Sequence, residues 1–107
     1  MRKLLIIGIA LIAFTSPTQS AVYIEGLLDC GQWVDARTKH TSSNFESYLI
    51  GYLNGLSLAS GVEFWRARGT PISREAVFLW MDNYCKAHPL EQVSDAIFAL
   101  YTEHTGQ

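Results

Sequence analysis

The first twenty residues most constrain what this chain can fold into, because they indicate the compartment in which its two cysteines reside. A short basic start, Met1–Lys3, precedes eleven apolar residues, Leu4–Phe14, and a small, polar stretch follows. Basic, apolar and small segments in that order are typical of a secretory signal peptide, here cut before Ala21. A membrane anchor would need about 20 apolar residues. We therefore expect a signal peptide over residues 1–20 and a periplasmic mature chain over residues 21–107, with no membrane segment.

Export favours a disulfide between Cys30 and Cys85, the only cysteines in the chain. Exported compartments are oxidising, and two cysteines allow a single intramolecular pairing. A free or reactive thiol and a zinc site are the alternatives. The spacing from Cys85 to His88 resembles that of metal ligands, but structural zinc takes four ligands, and His40 and His104 are scattered along the chain. We expect no metal and no cofactor.

The charge of the predicted mature chain argues against some classes of partner. Residues 21–107 carry six Lys and Arg against ten Asp and Glu, a net charge of −4. Such a chain lacks the basic patch with which proteins bind nucleic acid or anionic lipid. The mild acidity would suit a basic partner, but it is also common among small soluble proteins.

Three segments repeat apolar residues at steps of three and four, as helices with one buried face do. A shorter helix through Cys30 is expected before them, which gives an all-α bundle of about four helices with the disulfide joining the first to the third. The predicted buried faces are Phe45, Tyr48, Leu49, Tyr52, Leu53 and Leu56; then Val77, Trp80, Met81, Tyr84 and Cys85; then Leu90, Val93, Ile97, Leu100 and Tyr101.

Capping residues predict where these helices begin and end. Ser43 and Glu46 have the spacing of a capping box. Thr70 or Ser73 can cap the next helix. The proline at position 89 ends that helix and can itself be the first residue of the last one.

A column of small residues, Ser47, Gly51, Gly55 and Ala59, runs along the first long helix. Glycine inside a helix costs about 1 kcal/mol relative to alanine. We expect another backbone to approach closely at Gly51 and Gly55, the alternative being that the two glycines are merely tolerated.

The residues provide no recognisable catalytic constellation. There is no Gly-x-Ser-x-Gly elbow, no His-Glu-x-x-His pair and no phosphate-binding glycine loop. Acidic residues outside the apolar stripes are typical of a solvated helix face, although Asp82 could tie the third helix to a neighbour. These acids are Glu75, Asp82, Glu91 and Asp95. We therefore expect a protein that is not an enzyme.

A loop with one tryptophan and two arginines contains the predicted partner-binding site, residues 65–73. The segment 63–73 contains Trp65, Arg66, Arg68 and Thr70 together with glycine and proline. Loops on a rigid scaffold often carry recognition, and an exposed tryptophan can anchor a protein contact. The polar segment 39–43 is the second choice. The simplest interpretation of all three tryptophans, Trp33, Trp65 and Trp80, is a position in the core or at its edge, which is the alternative for Trp65.

Three segments resemble the Rap/Tai family: Cys30–Trp33, Gly51–Leu56 and Trp80–Leu90. The resemblance covers about residues 27–104. Family members of known function are small exported helical proteins that confer immunity to type VI secretion amidase effectors. The resemblance implies a periplasmic protein that binds a peptidoglycan amidase and blocks it, and a homodimer is one expected state. No contact residue can be carried over by motif.

Two other function classes fit the same residues. One is an acid-stress periplasmic chaperone resembling HdeA, which unfolds at low pH as its carboxylates are protonated. The other is a small envelope protein of the same fold without a toxin partner.

Overall fold

Residues 28–107 form four α-helices, as predicted. The computed structural model describes residues 28–107, so the predicted signal peptide lies outside the described residues. Within that range the only β-type pairing is an isolated bridge between Asp29 and Gln92. The helices are α1 (Cys30–Thr38), α2 (Ser43–Ser60), α3 (Arg74–Ala87) and α4 (Val93–Thr105).

A single core joins the helices. Helix α1 packs against α3 and α4, α3 packs against α4, and α2 packs against α4. The loop between α2 and α3 adds Phe64, which is fully buried. Burying each large apolar side chain contributes about 1.5–3 kcal/mol. The largest fully buried side chains are Trp33, Phe64, Leu49, Leu53, Met81, Ile97, Val77 and Val93.

The predicted disulfide between Cys30 and Cys85 is confirmed. Both cysteines are fully buried, their Cα atoms lie 4.7 Å apart, and the described residues contain no free cysteine. The bridge ties the first residue of α1 to the last turn of α3. The thiol and zinc alternatives therefore do not describe these two residues.

Helix α1 begins with a capping box that sequence analysis missed. The Asp29 carboxylate accepts a hydrogen bond from the Gln32 amide at 2.8 Å, and the Gln32 side chain accepts one from the Asp29 amide at 2.8 Å. Next to it, the Cys30 amide donates to the Glu91 carbonyl at 2.8 Å and the Val93 amide donates to the Leu28 carbonyl at 3.0 Å. These bonds hold the start of α1 beside the start of α4.

That backbone pairing explains why two predictions about the last helix were wrong. Residues 88–92 form a turn and a bridge, so α4 begins at Val93 instead of Pro89. Leu90 lies in this connection and is 96% exposed rather than buried. The predicted buried residues further along, Ile97, Leu100 and Tyr101, are confirmed.

The predicted start of α2 was wrong by one residue. Ser42 is the N-cap, and its side chain makes no capping hydrogen bond to the helix backbone. Its hydroxyl instead donates to the Glu46 carboxylate at 2.6 Å. Of the predicted α2 face, only Leu49 and Leu53 are fully buried. The other apolar residues of that face are partly buried and pack against the edge of the core.

The boundaries of α3 agree with the sequence. The Ser73 hydroxyl accepts a hydrogen bond from the Ala76 amide at 3.1 Å. The helix ends at Ala87, immediately before His88 and Pro89. Val77 and Met81 are buried as predicted, whereas Trp80 and Tyr84 are only partly buried.

Removing the disulfide should destabilise the fold without altering its helices. The Cys30→Ala, Cys85→Ala double variant should lose about 4 kcal/mol of unfolding free energy in the chain-entropy model, given the 55-residue separation. Urea unfolding followed by circular dichroism measures this. Reduced wild-type protein is the matched control and should unfold near the midpoint of the variant. Equal midpoints for the oxidised protein and the variant would contradict the prediction.

Candidate functional site

A groove of about 580 Å³ lies between α2, the loop 61–73 and the first residue of α3. We call it the α2 groove. It opens to solvent, and one exposed face of α2 forms its floor. Its lining residues are Ser47, Ile50, Gly51, Asn54, Trp65 and Arg74.

Trp65 forms one wall of the α2 groove and is fixed from three directions. Its indole Nε1 donates to the Asn54 side-chain oxygen at 2.7 Å. Its ring meets the buried Phe64 ring edge-on, with centroids 5.2 Å apart. Its carbonyl accepts a hydrogen bond from the Ile72 amide at 2.9 Å. Contacts within the chain therefore hold the indole in place.

No backbone among residues 28–107 covers the glycines of α2. A Cβ atom added at Gly51 or Gly55 would have no atom of the described residues within 4 Å, apart from the helix itself. The predicted close approach of another backbone is therefore not made by the described residues. Helix α2 turns Leu49 and Leu53 toward the core, which leaves the small-residue column on the outside.

Arg74 supplies the only charge in the lining of the α2 groove. It is the first residue of α3, and its guanidinium carbon lies 5.9 Å from the centre of the Phe78 ring. No carboxylate among residues 28–107 lies within ion-pair distance of it. Within the described part of the chain, the groove therefore combines an apolar wall with a cation that has no acidic partner.

The structure places only one of the four predicted loop residues in the groove. Arg66 and Thr70 are exposed outside its lining. Arg68 lies against α4, where it donates to the Glu103 carbonyl at 3.1 Å and the His104 carbonyl at 3.3 Å. Arg68 thus holds the loop, whereas Trp65 faces the groove.

Sequence reasoning missed the remaining lining residues of the groove. Ser47, Gly51 and Asn54 follow the three- and four-residue step of α2, so that spacing was the available signal. Nothing local in the sequence placed Arg74 beside them. In the second predicted segment, 39–43, Ser42 is buried and Lys39 pairs with Asp35 at 3.0 Å.

A polar cluster joins α1, α2 and α3 away from the groove lining. One Asp82 oxygen accepts from Trp33 Nε1 at 2.9 Å and from Arg37 Nε at 3.0 Å. The second accepts from another nitrogen of Arg37 at 3.0 Å, and Glu46 lies 3.8 Å from the same guanidinium. The hydrogen bonds from Arg37 to Asp82 raise the pKa of Arg37 above its ordinary value. Asp82 thus ties α3 to α1, as one of the two readings of the sequence allowed.

The three histidines have separate environments. His40 lies in the exposed connection after α1. His88 Nδ1 lies 3.5 Å from Glu91, and the ring of His104 packs against Phe64 with centroids 4.8 Å apart.

The hydroxyl of Tyr84 donates a hydrogen bond to the Glu91 carboxylate at 2.6 Å. This hydrogen bond, together with burial, raises the pKa of Tyr84 to about 12. The phenol is therefore protonated at neutral pH.

Comparison with protein-family models, curated proteins and solved structures gave no significant match to the chain. Between residues 28 and 107, no group of three His, Cys, Asp or Glu side chains is placed to hold a metal ion. None of the described helices is long and apolar enough to cross a membrane.

Removing the Asp82 carboxylate should destabilise the junction of α1 and α3. Asp82→Ala leaves the Trp33 indole and the Arg37 guanidinium without their acceptor, which should cost about 2–4 kcal/mol of unfolding free energy. Asp95→Ala, at an exposed position of α4, is the control and should cost at most about 1 kcal/mol. Urea unfolding compares the two, and equal losses would show that the Asp82 hydrogen bonds do not stabilise the fold.

Stability should fall in mild acid because of His104. Burial, and secondarily the charge of Arg68, lower the pKa of His104 below its ordinary value of 6.5, although Glu103 acts in the opposite direction. Below that value the unfolded chain binds a proton that the folded chain resists, so the unfolding free energy decreases as pH falls. His104→Phe should flatten this slope between about pH 7 and about pH 5. Urea midpoints across that range test it, and an unchanged slope would assign the effect to other groups.

Proposed function

We propose that this chain is a protein-binding module of the immunity type, which neutralises an exported partner by binding it. The observation that carries the proposal is the α2 groove, with its fixed tryptophan and an arginine that forms no ion pair within residues 28–107. Tryptophan and arginine are the side chains most often found as binding hot spots in protein interfaces. Because Trp65 is already held by Asn54 and Phe64, binding would order few side chains, which lowers its entropic cost.

The shape of the α2 groove favours a protein partner over a small molecule. Sites for small ligands enclose most of the ligand surface. This groove is instead an open depression along α2, about 580 Å³ in volume. An open surface with a central aromatic residue suits a segment of another protein.

The partner class rests on the resemblance to the Rap/Tai family. That resemblance implies a peptidoglycan amidase effector of type VI secretion, met in the periplasm. The Cys30–Cys85 disulfide supports this proposal because such bridges persist in exported proteins.

Co-purification and inhibition test the function together. The oxidised chain is mixed with a candidate amidase effector, ideally the product of a neighbouring gene, and peptidoglycan hydrolysis is measured with and without it. We expect a stable complex and loss of hydrolysis. Trp65→Ala should weaken the complex by at least about tenfold. Leu79→Ala changes an apolar residue that is 58% exposed and lies outside the groove lining, so it should have little effect.

Thermal melting of both variants shows whether a lost complex reflects unfolding. Full hydrolysis by every candidate amidase, with no complex formed, would contradict the proposed function. Suppression of aggregation of a client protein at about pH 2–3, where carboxylates are protonated, would instead support the chaperone class.

A further inference from the structure

We infer that the α2 groove binds an acidic, amphipathic segment of the partner protein. One carboxylate of that segment pairs with Arg74, and an adjacent apolar side chain rests over Gly51 against Trp65. This inference rests on the proposed function and specifies the chemistry of the partner.

Charge supports an acidic occupant. Arg74 is the only charged residue in the groove lining, and the described residues offer it no ion pair. Segment 61–74 carries three arginines and one glutamate, a net +2, whereas residues 28–107 carry six basic and nine acidic residues, a net −3. The groove therefore borders the basic part of an acidic domain, where a carboxylate would be attracted.

The partial charge of the α3 backbone acts in the same direction. Arg74 is the first residue of α3, and the amino end of a helix favours an anion. Glu75 in the same turn is exposed and lies outside the groove lining. Since no carboxylate among residues 28–107 pairs with Arg74, a carboxylate of the partner could do so.

Gly51 indicates that the groove floor must remain clear. The position lies inside an 18-residue helix, where alanine would be the better helix former. Nothing in the described residues approaches a Cβ at this position, so packing among residues 28–107 does not require a glycine. An apolar side chain of the partner could instead approach the α2 backbone closely, between Ile50 and Trp65.

The length of the α2 groove favours a segment over a single small anion. A second shallow depression of about 260 Å³, lined by Tyr52, Gly55 and Leu56, lies on a neighbouring side of α2, given 3.6 residues per turn. From Ser47 to Asn54, the outermost α2 residues of the groove lining, the helix rises about 10 Å, at 1.5 Å per residue. An isolated carboxylate or phosphate would contact Arg74 without using this length.

Selection from a library of random twelve-residue peptides displayed on phage tests the inference. The immobilised bait is the oxidised full chain. We expect the recovered peptides to share an Asp or Glu beside an aromatic or aliphatic residue. A synthetic peptide of that sequence should bind the wild-type protein, and it should bind the Arg74→Glu variant at least about tenfold more weakly. Replacing the peptide's acid by lysine should restore binding to that variant.

Two matched variants separate the groove from general charge and folding effects. Arg66→Glu makes the same charge change outside the groove lining and should alter affinity less than about threefold. Gly51→Leu fills the floor and should abolish peptide binding. Its melting temperature should equal or exceed that of wild type, because leucine is a better helix former than glycine.

Several results would overturn the inference. They are recovery of no peptide, recovery of neutral or basic peptides only, and peptide binding that is unchanged by Arg74→Glu or Gly51→Leu. An amidase that binds the chain but tolerates both substitutions would overturn the groove chemistry and leave the proposed function standing. Acidic peptides that bind through Arg74, with no amidase bound, would contradict only the proposed function.

Discussion

The junction between α1 and α3 is the constraint on which the rest of the structure depends. Helix α1 has only nine residues, too few to be stable as an isolated helix in water. It is held by the Cys30–Cys85 disulfide and, one turn away on both helices, by the hydrogen bonds of Asp82 to Trp33 and Arg37. A covalent bond and a set of charge-assisted hydrogen bonds thus fix the same pair of helices.

Helices α1 and α3 are joined at this junction, and α4 packs against both of them. Helix α2 therefore need not be buried on all sides. It contributes two fully buried leucines, Leu49 and Leu53, and the loop after it contributes Phe64. The opposite side of α2 can then carry glycines at positions where a buried helix would need larger side chains. Three helices, α1, α3 and α4, thus make most of the core, and α2 covers one side of it. The groove lies on the side of α2 that faces away from this core.

The periodicity of apolar residues predicted the helices better than it predicted the contacts of each helix. The steps of three and four residues located α2, α3 and most of α4, because a helix depends on local spacing. The cysteine count gave the disulfide, because two cysteines allow only one pairing. The predicted burial of Leu90 was wrong because residues 91 and 93 pair through their backbones with Cys30 and Leu28. This long-range pairing replaces the first turn of the predicted last helix. The prediction that a backbone approaches Gly51 is not met by the described residues, for a related reason. The pattern of small residues indicates that a close approach is allowed there, but it does not say whether the approaching backbone belongs to the same chain.

Of the four predicted loop residues, only Trp65 lines the groove, and the reason is how the loop is attached. Arg68 reaches the α4 carbonyls and Phe64 fills the core, so two of the loop's side chains hold it down while Trp65 between them faces outward. Arg74 joins the groove from the far end of α3, eleven residues before Cys85, which is about 16 Å along the helix. The residues that hold the fold and those that line the groove are therefore largely separate. Substitutions at Gly51 or Arg74 should therefore alter the groove while the α1–α3 junction stays intact.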